Sequence, residues 1–172
     1  TKTTSGTSGV PIEIRQTNVV HVWWLALFLR DLEWCGFDMR KSMASIRTST
    51  LNNEQARQQY KAGLKVDFWH PLFRNFLEMG PCYAMDLIQD PRRQLEWLRK
   101  IQPTYLLTYP STLDFFSTLI ADDGIRIPSL EGIQTFAETL SADQQARIET
   151  AFQVPVHNLY SCSEAGYLAS AC

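Results

Sequence analysis

The first half of the chain contains one strand pattern and one long helix pattern. Residues 12–15 alternate apolar and polar side chains, as a short strand does. Residues 19–34 carry apolar side chains at helical spacing, after Asn18 or Thr17 as the cap and before Gly36 as the stop. The pattern therefore predicts a short strand followed by a buried helix.

Beyond residue 80 strand and helix patterns alternate regularly. Strand patterns cover residues 80–87, 104–109, 133–137 and 156–160. Helix patterns cover residues 90–101, 111–121 and 141–152, and a short helical turn is expected at residues 128–129. Pro91 suits the first turn of one helix, and Ser141 suits the cap of another.

The central segment is less regular, but it fits the same architecture. Residues 43–48 are compatible with a strand, and residues 52–62 are polar with helix-forming side chains. Strands that alternate with helices of this length pair in parallel through right-handed crossovers. We therefore expect an α/β fold with a mostly parallel sheet flanked by helices and no internal domain boundary.

Composition and charge exclude several classes of partner. The chain has 172 residues, 45% of them apolar, and a net charge of −2 without a basic cluster, which disfavours nucleic acid. The apolar run at residues 19–29 is too short to span a bilayer, and no signal peptide is visible, so no membrane partner is expected. Four widely spaced cysteines favour reduced thiols and a cytoplasmic protein, although a metal role for Cys172 stays open beside a buried thiol.

The N-terminal loop is suited to bind a polyphosphate. Its members alternate hydroxyl donors with glycines that let backbone amides approach phosphate oxygens: Thr4, Ser5, Gly6, Thr7, Ser8 and Gly9, followed by Val10 and Pro11. It is not a P-loop, because no GK[ST] follows and the next element is a strand pattern. Ser/Gly-rich strings are also ordinary linkers, so composition alone leaves both interpretations open.

A second candidate motif, YSCSE, lies at residues 160–164, where a predicted strand ends. Ligands collect at the carboxyl edge of open α/β sheets. Glu164 can bind Mg²⁺ through its oxygens, Ser163 can donate to a phosphate, and Tyr160 can offer its ring to a purine. The alternative is a solvated glutamate and a core tyrosine.

Together the two motifs resemble those of adenylate-forming (AMP-binding) enzymes. TSGTSGVP is similar to their phosphate loop, [ST]SG[ST][ST]GxP, and YSCSE to their YGx[ST]E motif, with Ser161 in place of the usual glycine. Ile12 stands where a lysine is common, a departure shared by the phenylacetate–CoA ligase branch. Phe136, Ala137, Glu138 and Thr139 resemble that branch's GAEP-type segment along the adenine, and residues 80–111 also resemble phenylacetate ligases and coenzyme-adenylating synthetases.

This resemblance implies a reaction and its cofactors. A carboxylate, of an aryl or related acid, attacks the α-phosphate of Mg·ATP to give an acyl-adenylate and pyrophosphate, and a thiol, often CoA, then displaces AMP. Residues 4–9 would hold the β- and γ-phosphates, Ser163 the α-phosphate and Glu164 the Mg²⁺, with Thr7, Ser163 and Glu164 as the catalytic set. Residues 137–139 and Tyr160 would complete the nucleotide site.

The resemblance also implies that residues 1–172 are part of the large N-terminal domain, truncated at both ends. The ribose-binding Asp, the catalytic Lys and a small mobile domain would lie downstream, so we expect the chain alone to be inactive. Two alternatives remain open, a non-catalytic nucleotide- or metabolite-binding module and a domain that carries only a linker stub. A homodimer also remains open.

The substrate pocket is the least defined part of the prediction. Trp69, His70 and Tyr109 are the main candidates, with Phe73 and Tyr83 beside them, because an aryl acid needs an apolar slot with few polar groups. His70 could steer the carboxylate or titrate near neutral pH, and a structural role is as well supported. His21 and His157 are interpreted as structural.

Overall fold

The fold was analysed in a computed structural model that describes residues 2–3, 13–15, 17–49, 53–162 and 166–170. Its strands are, in chain order, β1 (Lys2–Thr3), β2 (Glu13–Ile14), β3 (Met43–Arg47), β4 (Leu64–Val66), β5 (Cys82–Asp86), β6 (Tyr105–Thr108), β7 (Gly132–Phe136), β8 (Val156–Cys162) and β9 (Gly166–Ser170). Its helices are α1 (Asn18–Trp34), α2 (Glu54–Ala62), α3 (Pro91–Ile101), α4 (Pro110–Asp123) and α5 (Ala142–Phe152).

One seven-stranded sheet organises these elements, in the order β4-β5-β3-β6-β7-β8-β9. The five central strands are parallel, whereas β4 and β9 run antiparallel at the edges. Strands β1 and β2 form a separate antiparallel pair. The α/β fold with a mostly parallel sheet flanked by helices is therefore confirmed.

Local capping signals explain where the helices begin. Ser141 and Gln144 form a reciprocal capping box at the start of α5. Asp90 Oδ1 accepts hydrogen bonds from the first backbone amides of α3, directly before Pro91. At α1 the cap is Thr17, whose Oγ1 accepts from the amide of Val20.

The sheet has an apolar layer on each face. Ala44, Ile46, Leu106 and Ile133 point to one face, where they pack with residues of α3, α4 and α5. Met43 and Tyr105 point to the opposite face and pack with Leu32 of α1 and with Phe37. Because successive side chains of a strand point to opposite faces, the same strands supply the apolar residues of both layers.

The burial expected for α1 is wrong, although the helix itself is confirmed. Among its residues only Asp31 and Leu32 are buried, while Val19, Val22 and Trp23 are 64%, 63% and 64% exposed. The apolar side chains of this helix are distributed around all its sides, but only one side meets the sheet in the described structure. Gly36 follows the helix with φ +69°, the left-handed conformation expected of a glycine stop.

Two further differences concern short elements. The edge strands β4 and β9 have no counterpart among the predicted strands, and residues 128–129 form a turn rather than a helical turn.

Cys82 lies buried in β5, where desolvation raises the pKa of its thiol to about 11. Across the described residues, no helix is both long and apolar enough to cross a membrane.

Candidate functional site

Predicted site residues collect where β6, β7 and β8 end. Tyr109 directly follows β6, residues 137–139 directly follow β7, and Tyr160 lies near the end of β8. These three strands are neighbours and run parallel, so their carboxyl ends share one edge of the sheet. This edge is where open α/β sheets bind ligands.

Ala137 has an unusual backbone at this edge. Its φ is +64°, in the left-handed region that favours glycine. Ala137 therefore adopts, directly after β7, a backbone conformation that glycine adopts more readily. Glu138 and Thr139 follow it and are exposed, so the chain leaves β7 along the surface.

Glu138 is attached to the start of helix α4. Its carboxylate accepts hydrogen bonds from the backbone amide of Ser111 at 2.9 Å and from Ser111 Oγ at 3.0 Å. Tyr109, the N-cap residue, makes no side-chain capping bond. Glu138, which follows β7, thus caps α4 from outside the helix. Its negative charge also interacts favourably with the positive end of the helix dipole.

Two aromatic side chains flank this corner. The rings of Tyr109 and Phe136 are 4.7 Å apart between centroids, so Tyr109 is held against the end of β7. The Tyr160 side chain on β8 is 63% exposed, which excludes the core-tyrosine interpretation. An exposed aromatic ring at the carboxyl edge of an open α/β sheet is suited to stack on a base.

A small pocket opens at the end of β8, on the side of α1. Its lining contains two imidazoles, an indole, a hydroxyl and a thiol, from His21, Trp24, His70, Ser161 and Cys162, and its volume is about 220 Å³. Val20 and Gly166 complete the lining. Helix α1, the segment around residue 70 and the β8–β9 hairpin meet here.

His70 is a neutral hydrogen-bonding group in this pocket. Burial, helped by the nearby positive groups of His21 and Arg47, lowers the pKa of His70 below its usual range. Its Nδ1 accepts a hydrogen bond from the backbone amide of Leu72 at 3.3 Å. The neutral ring therefore carries its proton on Nε2, which is a donor.

Trp69, the neighbour of His70 in sequence, lies at a different place. Its Nε1–H donates to the carbonyl oxygen of Lys41 at 3.0 Å, and its ring meets Tyr105 edge to face. Lys41 precedes β3 and Tyr105 begins β6, so Trp69 lies at the amino ends of these two strands. The structure does not bring Trp69, His70 and Tyr109 together around one cavity.

The other pocket candidates divide in the same way. Phe73 packs near His70, with ring centroids 5.4 Å apart. Tyr83 lies on β5, where Lys65 Nζ is 5.8 Å from its ring. Only Phe73 is thus close to the pocket at the end of β8.

Several predicted residues fall outside the described part of the chain. They are the phosphate loop at residues 4–9, Ser163, Glu164 and Cys172. Ser163 and Glu164 stand in the sequence between the end of β8 and the start of β9. Within the described residues, no group of three or more His, Cys, Asp or Glu side chains is arranged to hold a metal ion.

Of the seven described residues that line the pocket, only His70 was predicted to do so. His21 was interpreted as structural, Trp24 was predicted only as part of the α1 helix pattern, and Cys162 only as part of the YSCSE motif. His21 and Trp24 are three positions apart on α1, and their rings are parallel with centroids 6.3 Å apart. That spacing is visible in the sequence, but the β8–β9 hairpin that completes the pocket was not predicted.

Known proteins resemble this chain in fold but not in overall sequence. No protein-family model matches the chain, and no curated protein matches it in sequence. Among solved structures, the anthranilate CoA ligase AuaEII in complex with anthranoyl-AMP is 16% identical with a TM-score of 0.69, over 98% of this chain and 30% of that chain. The luciferase-like enzyme from the nonluminescent Zophobas morio mealworm is 19% identical with a TM-score of 0.63, over 98% of this chain and 35% of that chain.

A third example comes from a bacterium. The Vibrio cholerae adenylation domain AlmE, in complex with glycyl-adenosine-5′-phosphate, is 19% identical with a TM-score of 0.60, over 98% of this chain and 29% of that chain. The similar structures are consistently adenylate-forming enzymes, including acyl-CoA ligases and adenylation domains. The chain thus has the fold of part of such an enzyme, and it spans about a third of the length of these relatives.

Proposed function

We propose that the protein carrying this chain activates a small carboxylic acid with ATP as an acyl-adenylate and passes the acyl group to a thiol such as CoA. The observation that carries this proposal is the position of the YSCSE motif. Its first three residues, Tyr160, Ser161 and Cys162, end β8 at the carboxyl edge of a sheet whose fold is shared with adenylate-forming enzymes. More specifically, we propose that the acid is an aryl acid and that the enzyme is of the phenylacetate–CoA ligase branch. This part of the proposal rests on the sequence resemblance.

Each group of residues has a role in this proposal. The hydroxyls and amides of residues 4–9, with Thr7 and Ser163 as catalytic donors, meet negative charge on the phosphate oxygens. Residues 137–139 and Tyr160 bind the adenine, and the turn at Ala137 leaves the exposed backbone accessible to a flat base. Glu138 keeps its bond to Ser111 and fixes this turn.

Glu164 is the proposed Mg²⁺ ligand. Proteins usually hold Mg²⁺ through one or two carboxylates together with the substrate's phosphates, so one glutamate in this motif is sufficient. The bound ion would neutralise charge on the phosphate oxygens. We place the activity in the cytoplasm, and a homodimer is compatible with it.

The test is exchange of labelled pyrophosphate into ATP by the full-length protein, with a panel of aryl and aliphatic acids. Exchange that requires an acid supports the proposal. A folded protein that binds ATP but shows no exchange with any acid is instead a non-catalytic nucleotide-binding module.

The metal role has its own variant in the same assay. Glu164→Gln should shift the Mg²⁺ titration to higher concentration. Glu96→Gln, at an exposed position of α3, is the matched control and should leave the titration unchanged. An unchanged titration in Glu164→Gln removes Glu164 from the metal site.

A further inference from the structure

Two residues of the YSCSE motif line the pocket at the end of β8. Ser161 and Cys162 line it, and they stand directly between Tyr160 and Ser163 in the sequence. If the proposed function holds, an acid bound here has its carboxylate near the α-phosphate. The rest of the acid then lies against Trp24 and His70.

One wall of the pocket is aromatic. The indole of Trp24 is stacked on Phe28, with ring centroids 5.7 Å apart and planes 3° from parallel. Its ring is also 5.7 Å from Tyr167, which meets it edge to face, and 5.7 Å from His70. These neighbours hold the indole in place, and a held indole favours a flat aromatic ligand over a flexible chain.

The volume of the pocket limits the ligand to a small one. At about 220 Å³ the pocket is below the range of about 300–1,000 Å³ typical of sites for drug-sized molecules. A single ring with short substituents fits such a volume, whereas a long acyl chain does not.

The polar groups of the pocket select further among aromatic acids. His70 stays neutral near pH 7, because its pKa is lowered, and its Nδ1 is occupied by the amide of Leu72. Its Nε2–H is left as a donor. A donor in a small aromatic pocket loses its hydrogen bond when the ligand has no acceptor to offer.

We propose that this pocket binds the ring of a small aromatic carboxylic acid that carries a hydrogen-bond acceptor, such as a ring hydroxyl, and that His70 recognises this acceptor. Trp24 supplies the flat surface on which the ring lies. The proposal rests on the proposed function for the orientation of the acid. The preference for an acceptor on the ring is additional to that function.

Calorimetric binding to the full-length protein tests the preference without any turnover. The ligands are benzoate, its three monohydroxy isomers and hexanoate, each in the absence of ATP. At least one hydroxy isomer should bind about 10-fold or more tightly than benzoate. Hexanoate should bind weakest, because it has no flat face.

Variants of the two pocket residues assign the preference. His70→Phe keeps an aromatic ring but should bring the hydroxy isomer to the affinity of benzoate. Trp24→Leu should weaken all the aromatic acids and leave hexanoate unchanged. Tyr83→Phe removes a polar group from an aromatic ring outside the pocket and is the matched control.

The outcomes separate this inference from the proposed function. Equal affinity of the wild-type protein for benzoate and every hydroxy isomer overturns the inference, as does a preference that survives in His70→Phe. The wild-type comparison decides even if a variant does not fold. Acid-dependent exchange without the preference leaves the proposed function standing, and the preference without exchange contradicts only the proposed function.

Discussion

The carboxylate of Glu138 caps helix α4 through Ser111, with one hydrogen bond from the backbone amide at 2.9 Å and one from Oγ at 3.0 Å. The bond joins the end of β7 to the helix that follows β6. Since residues 137–139 are the proposed adenine contact, the geometry of the nucleotide site depends on this contact.

Glu138→Ala should destabilise the protein by about 1 kcal/mol, because α4 loses its only described side-chain cap. Chemical denaturation of the single variants and of the double variant Glu138→Ala/Ser111→Ala measures this loss. The two losses should be less than additive, because both residues form one contact. Full additivity would mean that the bond from Ser111 Oγ contributes nothing, since Ser111→Ala keeps the bond from the backbone amide.

The strained turn at Ala137 gives a second prediction. Ala137→Gly should raise the free energy of unfolding by about 1 kcal/mol, since a left-handed conformation costs an L-residue about that much. Gln153→Gly is the matched control. Gln153 directly follows α5 and also has a left-handed backbone, with φ +59°, so a similar gain is expected there, far along the chain from β7. A loss of stability in Ala137→Gly alone would show that its methyl group makes a necessary contact.

A buried polar pair attaches α1 to the sheet. Gln134 Nε2 on β7 donates to Asp31 Oδ2, and both residues are only 2% exposed. Within the described residues, Asp31 Oδ1 has no hydrogen-bond partner. Gln134→Met should therefore cost about 2 kcal/mol, because it leaves a buried carboxyl group without a hydrogen-bond donor.

The double variant Asp31→Leu/Gln134→Met tests the cause of that loss. Replacing both polar partners by apolar residues should recover most of the stability, to within about 1 kcal/mol of the wild-type protein. Urea denaturation of the wild-type protein, Gln134→Met and the double variant makes the comparison. A double variant as unstable as Gln134→Met would assign the loss to packing rather than to the unpaired carboxyl group.

Two histidines predict how stability depends on pH. Desolvation lowers the pKa of both His70 and His157 below the usual value of 6.5. Positive groups, His21 and Arg47, add to the shift at His70, whereas Asp31 and Glu149 oppose it at His157. The unfolded chain thus binds protons more readily than the folded protein.

The sign of this effect follows directly. Stability from these histidines is complete above about pH 6.5 and is lost as the pH falls towards the folded-state pKa values. Thermal unfolding between about pH 5 and 8 measures it. The double variant His70→Gln/His157→Gln should show a smaller decrease in this window, and an unchanged decrease would assign the pH dependence to other groups.

The sequence predicts much of the fold because the signals are local. The capping box of Ser141 and Gln144 and the Asp90-Pro91 start of α3 depend only on neighbours in the chain. The edge strands β4 and β9 were missed because their pairing depends on partners elsewhere in the sheet.

The candidate site was predictable only in part. Tyr109, Ala137 and Tyr160 reach one edge because parallel strands place their carboxyl ends together. Trp69 could not be placed from sequence, since its position depends on a hydrogen bond to Lys41, 28 residues earlier. The partial exposure of α1 was equally unpredictable, because an apolar pattern does not say how many sides of a helix are covered.

The most direct test of acid activation follows an oxygen atom. The full-length protein is incubated with ATP, a thiol acceptor and an accepted acid whose carboxylate carries ¹⁸O at both oxygens, and the AMP is analysed by mass spectrometry. Attack of the carboxylate on the α-phosphate predicts one ¹⁸O atom in each AMP released. Product formed with unlabelled AMP, or with the label in inorganic phosphate and ADP as the nucleotide product, would contradict adenylation.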